Sequence, residues 1–447
     1  MMTDTAPAAR RIGPLLATVL VAGNMIGSGV FLLPATLAAI GSSTIIGWVI
    51  ASAGAMLLAG VFALLATLRP TPDGIVDYPA QGLHPFFGFA NWLLYWLSCW
   101  VGSPAIALAV TGYLTFFFPV LSDPLISVWT TIGVIWLMTL ANVIGARTVA
   151  RLGGMTLVIG LAPIVVATVL GLLAFDPATF AAGWNVTGKP LTQAVGGSLA
   201  PIFWAFLGLE SATVAAAVVR DPRRNVARAA LGGVGLAAVI YIAASVALLG
   251  AIPAATLAAS PAPFADAIRI LAGSTVASVI AVCALLKAAG TMGGWLLLTA
   301  ESARSGAASG FLPRVLSARD PSRAPIRDLL LSAGLMSLVI ASSMSPTLGK
   351  QFGVLINIAV NLSMAMYALC ALSLIRFAGV IEDPGRRLAA RAMAVGGAAF
   401  AVWVVAASDP AMLAPSLWAF AATVPLYGVV RLLKRGSGTG KAVPRDS

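Results

Sequence analysis

Apolar stretches of membrane-spanning length follow one another with short interruptions from about residue 13 to residue 433, and this constrains the fold more than any motif. A spanning helix needs about 20 largely apolar residues, because the bilayer interior offers no water to pair a free backbone N–H or C=O. Breaks at charges, Pro and Gly predict twelve spans, at about 13–38, 43–68, 86–119, 124–143, 153–175, 192–219, 227–252, 266–303, 327–346, 351–378, 388–408 and 411–433. The chain is 60% apolar and 9% charged, against roughly a quarter charged in a soluble domain, which excludes an ordinary water-soluble enzyme.

The charge balance, 27 Lys and Arg against 15 Asp and Glu, would in a soluble protein point to nucleic acid. Its placement points elsewhere. With a cytoplasmic N-terminus, 23 of the 27 cations fall in inner loops, Lys189, Arg269 and Lys350 fall outside, and Lys287 lies within a span. Twelve spans with both termini cytoplasmic therefore satisfy the positive-inside rule, and the basic excess is a topology signal with some attraction to anionic lipid. The organisation expected is a short cytoplasmic segment (1–11), one domain of twelve spans (12–433) and a Gly-rich, disordered cytoplasmic tail (434–447). No cleavage pattern follows residues 1–11, so the first span is expected to be retained.

Two spans are interrupted. The first carries Gly23-Asn24-Met25-Ile26-Gly27-Ser28-Gly29 at mid-membrane depth, where glycine lets the backbone unwind and unwound backbone survives only against a cavity or buried in protein. A tight small-residue helix crossing is the alternative reading. The sixth carries Trp204-Ala205-Phe206-Leu207-Gly208-Leu209-Glu210-Ser211, and an intramembrane carboxylate is by default functional, the alternative being a hydrogen bond tying two helices together. If the first ten spans form two inverted repeats of five, about 12–175 and 192–378, these are corresponding positions, and paired interruptions there point to a transporter binding site. Freed N–H groups near Gly27, Ser28 and Gly29 suit a carboxylate, and freed carbonyls near Ile26, Trp204 and Leu207 suit an ammonium.

The stretches GNMIGSGVFLLPA (23–35), LLYWLSCWVGS (93–103), WAFLGLESATVAAAVVRDPRRNV (204–226) and GTMGGW (290–295) make the resemblance specific. The chain resembles the amino acid-polyamine-organocation transporter superfamily, and within it the basic amino acid and polyamine antiporters of arginine:agmatine type. The resemblance implies twelve helices, an inverted repeat with helices one and six broken, two further helices (about 388–433), and sodium-independent exchange by alternating access. It implies that Ser28 and Gly29 hold a substrate carboxylate, that backbone at Ile26, Trp204 and Leu207 holds its ammonium, and that Asn24 sits beside them. Ser98 and Cys99 fall among its substrate-binding positions. Trp295 corresponds to the aromatic over which a cationic side chain stacks, a cation–π contact with its own physical basis. Trp204 corresponds to a gate over the substrate, Tyr95 and Tyr367 to an inner gating layer, and Glu210 to a proton-sensitive glutamate. Many members of the family pair as homodimers.

Some positions depart from that pattern. Ser103 and Ala359 stand where the family has an asparagine and a serine in the distal wall, and Val76 falls near a family tyrosine, so the distal pocket is less polar than a guanidinium site wants. Lys287 stands where the family has a small residue. A buried ammonium must pair, deprotonate or reach water. By the resemblance it occupies the place where sodium-coupled relatives of the fold bind their cation, between helices one and eight; packing of its stem between helices is the plainer reading.

The remaining candidates read as structural: Glu301 pairs with Arg304 at i+3, the single His84 lies at the start of the third span, and RDPRRN (220–225) is an inner loop. Cys99, Cys283 and Cys370 sit in apolar runs without metal-binding spacing. No phosphate-binding loop, HExxH or GxSxG motif occurs, so no cofactor, ATP hydrolysis or enzyme chemistry is expected, and no nucleic-acid partner. The expectation is an inner-membrane secondary transporter exchanging an amino acid for a related amine, arginine for agmatine first. The alternative is a neutral amino acid carrier, proton-coupled or exchanging, with Lys287 in place of a coupling cation.

Overall fold

A computed structural model describes residues 13–27, 30–71, 74–211, 219, 221–312 and 326–436. The elements are helices: α1 (Pro14–Met25), α2 (Leu33–Ala38), α3 (Thr44–Leu68), α4 (Gly74–Gly82), α5 (Pro85–Thr115), α6 (Pro124–Leu173), α7 (Pro177–Ala182) and α8 (Leu191–Trp204). They continue as α9 (Pro222–Ala251), α10 (Ala254–Ala258), α11 (Pro263–Ala272), α12 (Ser274–Ala308), α13 (Ile326–Ser342), α14 (Leu348–Phe377), α15 (Pro384–Ala406) and α16 (Pro410–Gly436). Among the described residues eight helical segments are long and apolar enough to cross a membrane, and Pro14–Gly23 and Ile159–Leu173 are shorter apolar helices.

Local chemistry sets the starts. Pro stands in the first turn of α1, α5, α6, α9, α11 and α15, where its missing N–H would be unpaired anyway. Asp123 caps α6 by accepting from the N–H groups of Leu125 and Ile126, Asp383 caps α15 through that of Arg386, and His84 caps α5, its Nδ1 accepting from Phe86.

Four spans differ from their expected outlines. The fourth and fifth are one helix, α6, with a single non-helical residue at Gly145, so the bend falls on the residue without a Cβ and the arginine-bearing stretch after it stays helical. The eighth divides at Gly273, whose φ of +85° separates α11 from α12. The third ends at Thr115 and is followed by a separate 3-10 turn at Pro119–Ser122.

In the bundle α12 packs on α5 and α6, α14 on α5 and α15, and α9 on α1 and α3. Small residues make these crossings close: a Cβ at Gly54 of α3 would lie 2.1 Å from the Phe400 ring of α15, and one at Gly306 of α12 would lie 2.1 Å from Trp92 of α5. Arg69, Arg304, Arg376 and Arg431 lie at or beyond the C-terminal ends of α3, α12, α14 and α16, marking one end of the bundle. The starts of α3, α8, α14 and α16 lie at the opposite end.

Candidate functional site

Both interruptions read from the sequence are breaks in the helices. α1 ends at Met25; Ile26 donates its N–H to Ala22 at 2.8 Å, and its ψ of 70° carries the chain out of the helix. The Gly27 N–H donates to Met25 at 2.7 Å. Ser28 and Gly29, and the side chain of Asn24, lie outside the described residues. α8 ends at Trp204, whose carbonyl accepts from the Leu207 N–H at 3.3 Å. Gly208 then turns the chain with φ +102°, a conformation glycine adopts without a Cβ penalty, and a short 3-10 turn at Leu209–Ser211 carries Glu210. That turn folds the Glu210 carboxylate back to accept from the Gly208 N–H at 3.1 Å, and the Tyr367 hydroxyl of α14 donates to the same oxygen. The cost of a carboxylate at this depth is offset by these donors.

Around Glu210 lies a cavity of about 370 Å³, lined from α5 by Tyr95, Ser98 and Cys99, from the second break by Leu207 and Gly208, from α12 by Gly294, Trp295 and Leu298, and from α14 by Ser363, Met366 and Tyr367, with Ile75 of α4. It is of ordinary size for a small-molecule site. Trp204, 4% exposed, does not line the cavity but packs on Trp295, which does. Its ring lies 5.5 Å from that of Trp295, tilted by 39°, with Phe352 edge-on to it.

The distal wall stands beside Trp204. A Cβ at Gly102 of α5 would lie 3.0 Å from the Trp204 ring and 3.4 Å from the Cβ of Ala359, so helices α5, α8 and α14 converge here. Ser103 is buried, and its hydroxyl donates to the Cys99 carbonyl at 2.7 Å, leaving only its lone pairs for other partners. Ile26 is buried at the first break.

Lys287 does not line this cavity. It is 6% exposed, and its stem lies over Gly160 of α6, where a Cβ would come within 2.3 Å of its Cγ. It takes part in neither ion pair among the described residues, Arg269–Asp266 and Arg304–Glu301. The contact of α12 with the first break is made one turn further on, by Thr291, whose methyl would lie 3.5 Å from a Cβ at Gly27 and whose hydroxyl donates to the Lys287 carbonyl.

Two residues take roles that the sequence reading did not assign. Ser363 lines the cavity and joins α14 to α5 by donating to Ser98 at 3.2 Å; its place one helical turn from both Ala359 and Tyr367 is the periodic signal that marks it. Gly208 carries the positive φ on which the Glu210 geometry depends.

A bundle of spanning helices broken twice around an acid-bearing, tryptophan-lined cavity defines a membrane transporter of small solutes. The family model for amino acid permeases matches residues 12–429, and the chain belongs to that family, among the basic amino acid and polyamine antiporters of the amino acid-polyamine-organocation superfamily. It is 38% identical to the cadaverine/lysine antiporter of Escherichia coli (strain K12) over 377 residues, 83% of this chain and 85% of that protein. It is 32% identical to the putrescine transporter PotE of the same strain over 422 residues, 94% of this chain and 96% of that protein. The putrescine transporter PotE of Haemophilus influenzae is also 32% identical, over 424 residues, 94% of this chain and 97% of that protein. Relatives that are antiporters and transporters support amino acid and amine transport by a multi-pass membrane protein.

Proposed function

We propose that the chain exchanges a basic amino acid for its decarboxylated amine across the bacterial inner membrane by alternating access, with twelve spans, an inverted repeat and both termini cytoplasmic. The observation that carries this is the Glu210 carboxylate in a cavity lined by Trp295, on which Trp204 packs. A fixed negative charge and an aromatic face together favour a cationic side chain, worth roughly 2 kcal/mol or more each when desolvated. The α-ammonium is then met by carbonyls at the two breaks, Ile26 and Leu207, and the carboxylate by the N–H groups about Gly27, Ser28 and Gly29.

Lysine and cadaverine fit this site better than arginine and agmatine. An ammonium is a compact donor that a few scattered acceptors satisfy, whereas a guanidinium presents a planar fork of five donors. Ser103, its own proton given to Cys99, and Ala359 offer the fork no amide or carboxylate. The cadaverine/lysine relative agrees with this choice. Arginine for agmatine is kept as the second reading because the exposed face of Trp295 suits guanidinium stacking.

Counterflow into proteoliposomes, preloaded in turn with lysine, cadaverine, arginine, agmatine, leucine and methionine, tests this. Lysine and cadaverine are expected to drive the fastest exchange; leucine and methionine exchanging equally well would replace this reading with a neutral carrier. Ser103→Asn is expected to raise the arginine-to-lysine ratio by roughly tenfold, the effect of about 1.4 kcal/mol of discrimination, and an unchanged ratio would remove the distal wall from the specificity argument.

Lys287 belongs to the same proposal as a charge that couples α12 to the first break through Thr291. Lys287→Met keeps the stem over Gly160 and deletes the ammonium. Exchange is expected to fall roughly tenfold with an altered dependence on pH; wild-type rate and pH profile in this variant would leave Lys287 a packing residue.

A further inference from the structure

A second cavity, of about 640 Å³, lies at the end of the bundle opposite the arginines and shares no lining residue with the Glu210 cavity. On one side it meets Ile40, just beyond α2, and the first turns of α8; on the other it meets Asn357 of α14 and the corner between α15 and α16. The hollow is kept open by glycine. A Cβ at Gly197 would touch nothing within 4 Å, and one at Gly196 only Ala407.

Its charged lining residues are Lys189 and Asp409. They are not paired with each other, and the backbone of each is fixed. The Lys189 N–H donates to the Thr187 hydroxyl at 3.1 Å, its carbonyl accepts from the Asn185 amide at 2.8 Å, and the Val186 N–H fastens the turn to Ile40 at 3.1 Å. Asp409 accepts from the Ala411 N–H at 2.9 Å through Oδ1, which leaves Oδ2 for another donor. One cation and one anion held apart across a roomy hollow are complementary to a zwitterion.

The rim identifies its source. Trp403 lines the hollow and is 47% exposed, beside Val402 at 61%, an apolar surface with an indole of the kind found at headgroup depth. We infer that this cavity binds the phosphoethanolamine headgroup of a bilayer lipid, the phosphate on Lys189 and the hydroxyl of Thr192, the primary ammonium on Asp409. A choline headgroup lacks N–H donors for Asp409, and a glycerol headgroup lacks the cation. Because α2, through Ile40, and α8 bound one side and α14 to α16 the other, an occupant that fits this arrangement favours it over others and makes exchange depend on the lipid.

Native mass spectrometry of the purified full chain with phosphatidylethanolamine, phosphatidylcholine and phosphatidylglycerol of identical acyl chains tests the site without reference to the transported substrate. Phosphatidylethanolamine is expected to be retained roughly tenfold over the other two. Lys189→Met and Asp409→Asn, at exposed positions, and Gly197→Leu, which fills the hollow, are each expected to remove the preference. No preference in the wild type, or a preference that survives all three substitutions, would overturn the site. Binding of soluble phosphoethanolamine with no preference among lipids would overturn the bilayer as its source.

Discussion

Replacing Glu210 by Gln is expected to lower the exchange of a cationic substrate at sub-saturating concentration by roughly ten- to a hundredfold. The amide keeps the shape, and its oxygen still accepts from the Gly208 N–H and the Tyr367 hydroxyl, so the turn at the second break stays satisfied. What is lost is the negative charge in a cavity otherwise lined by hydroxyls, sulfur and apolar groups. Hydrogen bonds to charged groups contribute about 1.5–3 kcal/mol, and about 1.4 kcal/mol is tenfold, which sets the range. Tyr367→Phe removes one donor while keeping the charge, and a few-fold loss is expected. Initial rates of lysine counterflow across a concentration series measure both. An equal loss for leucine, where the variant exchanges it at all, would make Glu210 a structural group of the turn and not a counter-ion.

This ordering of effects was largely legible in the sequence, because glycine and polar side chains inside an apolar run conflict with a continuous lipid-facing helix. Gly23 to Gly29 and Leu207 to Glu210 stand out for that reason; α1 ends inside the first stretch, and α8 ends just before the second, where Gly208 turns the chain. Trp295 and Tyr367 line one cavity with Glu210, and Trp204 packs on Trp295. Less legible was anything set by which way a helix face turns. The 3.6-residue period places Ser363 beside Ala359 and Tyr367 but does not say which face meets α5. Lys287 shares α12 with Trp295, yet its stem lies over Gly160 of α6, a contact between residues 127 positions apart that no local pattern encodes. Glycines are ambiguous in the same way. Gly133 and Gly145 look alike in sequence, and only tertiary packing decides that α6 bends at the second.

Gly41→Ala is expected to be the most damaging of the small substitutions, and for a reason that composition hides. Gly41 holds φ +119°, and a Cβ there would lie 2.4 Å from the Gly183 carbonyl oxygen and 2.8 Å from that of Trp184. Those two carbonyls cannot retreat cheaply, since they accept from the N–H groups of Ser42 and Ser43, each at 2.8 Å, while the Ser42 hydroxyl donates to Phe180 at 2.6 Å. The corner thereby fastens the far end of α2 and the start of α3 to the loop before α8, so the helix after the first break and the lead into the helix before the second are joined through it. Backbone strain and a backbone clash each cost about 1–3 kcal/mol, and here they add to about 3 kcal/mol or more. Gly188→Ala is the matched control: its φ is +69°, but a Cβ there meets nothing within 4 Å, so only the left-handed conformation is penalised, by about 1–2 kcal/mol. Unfolding temperatures of the two variants in detergent, followed by tryptophan fluorescence, should therefore separate clearly, with Gly41→Ala the lower. Equal shifts would mean that the carbonyls of Gly183 and Trp184 yield to a methyl group, and that the corner does not hold α2 and α8 in register.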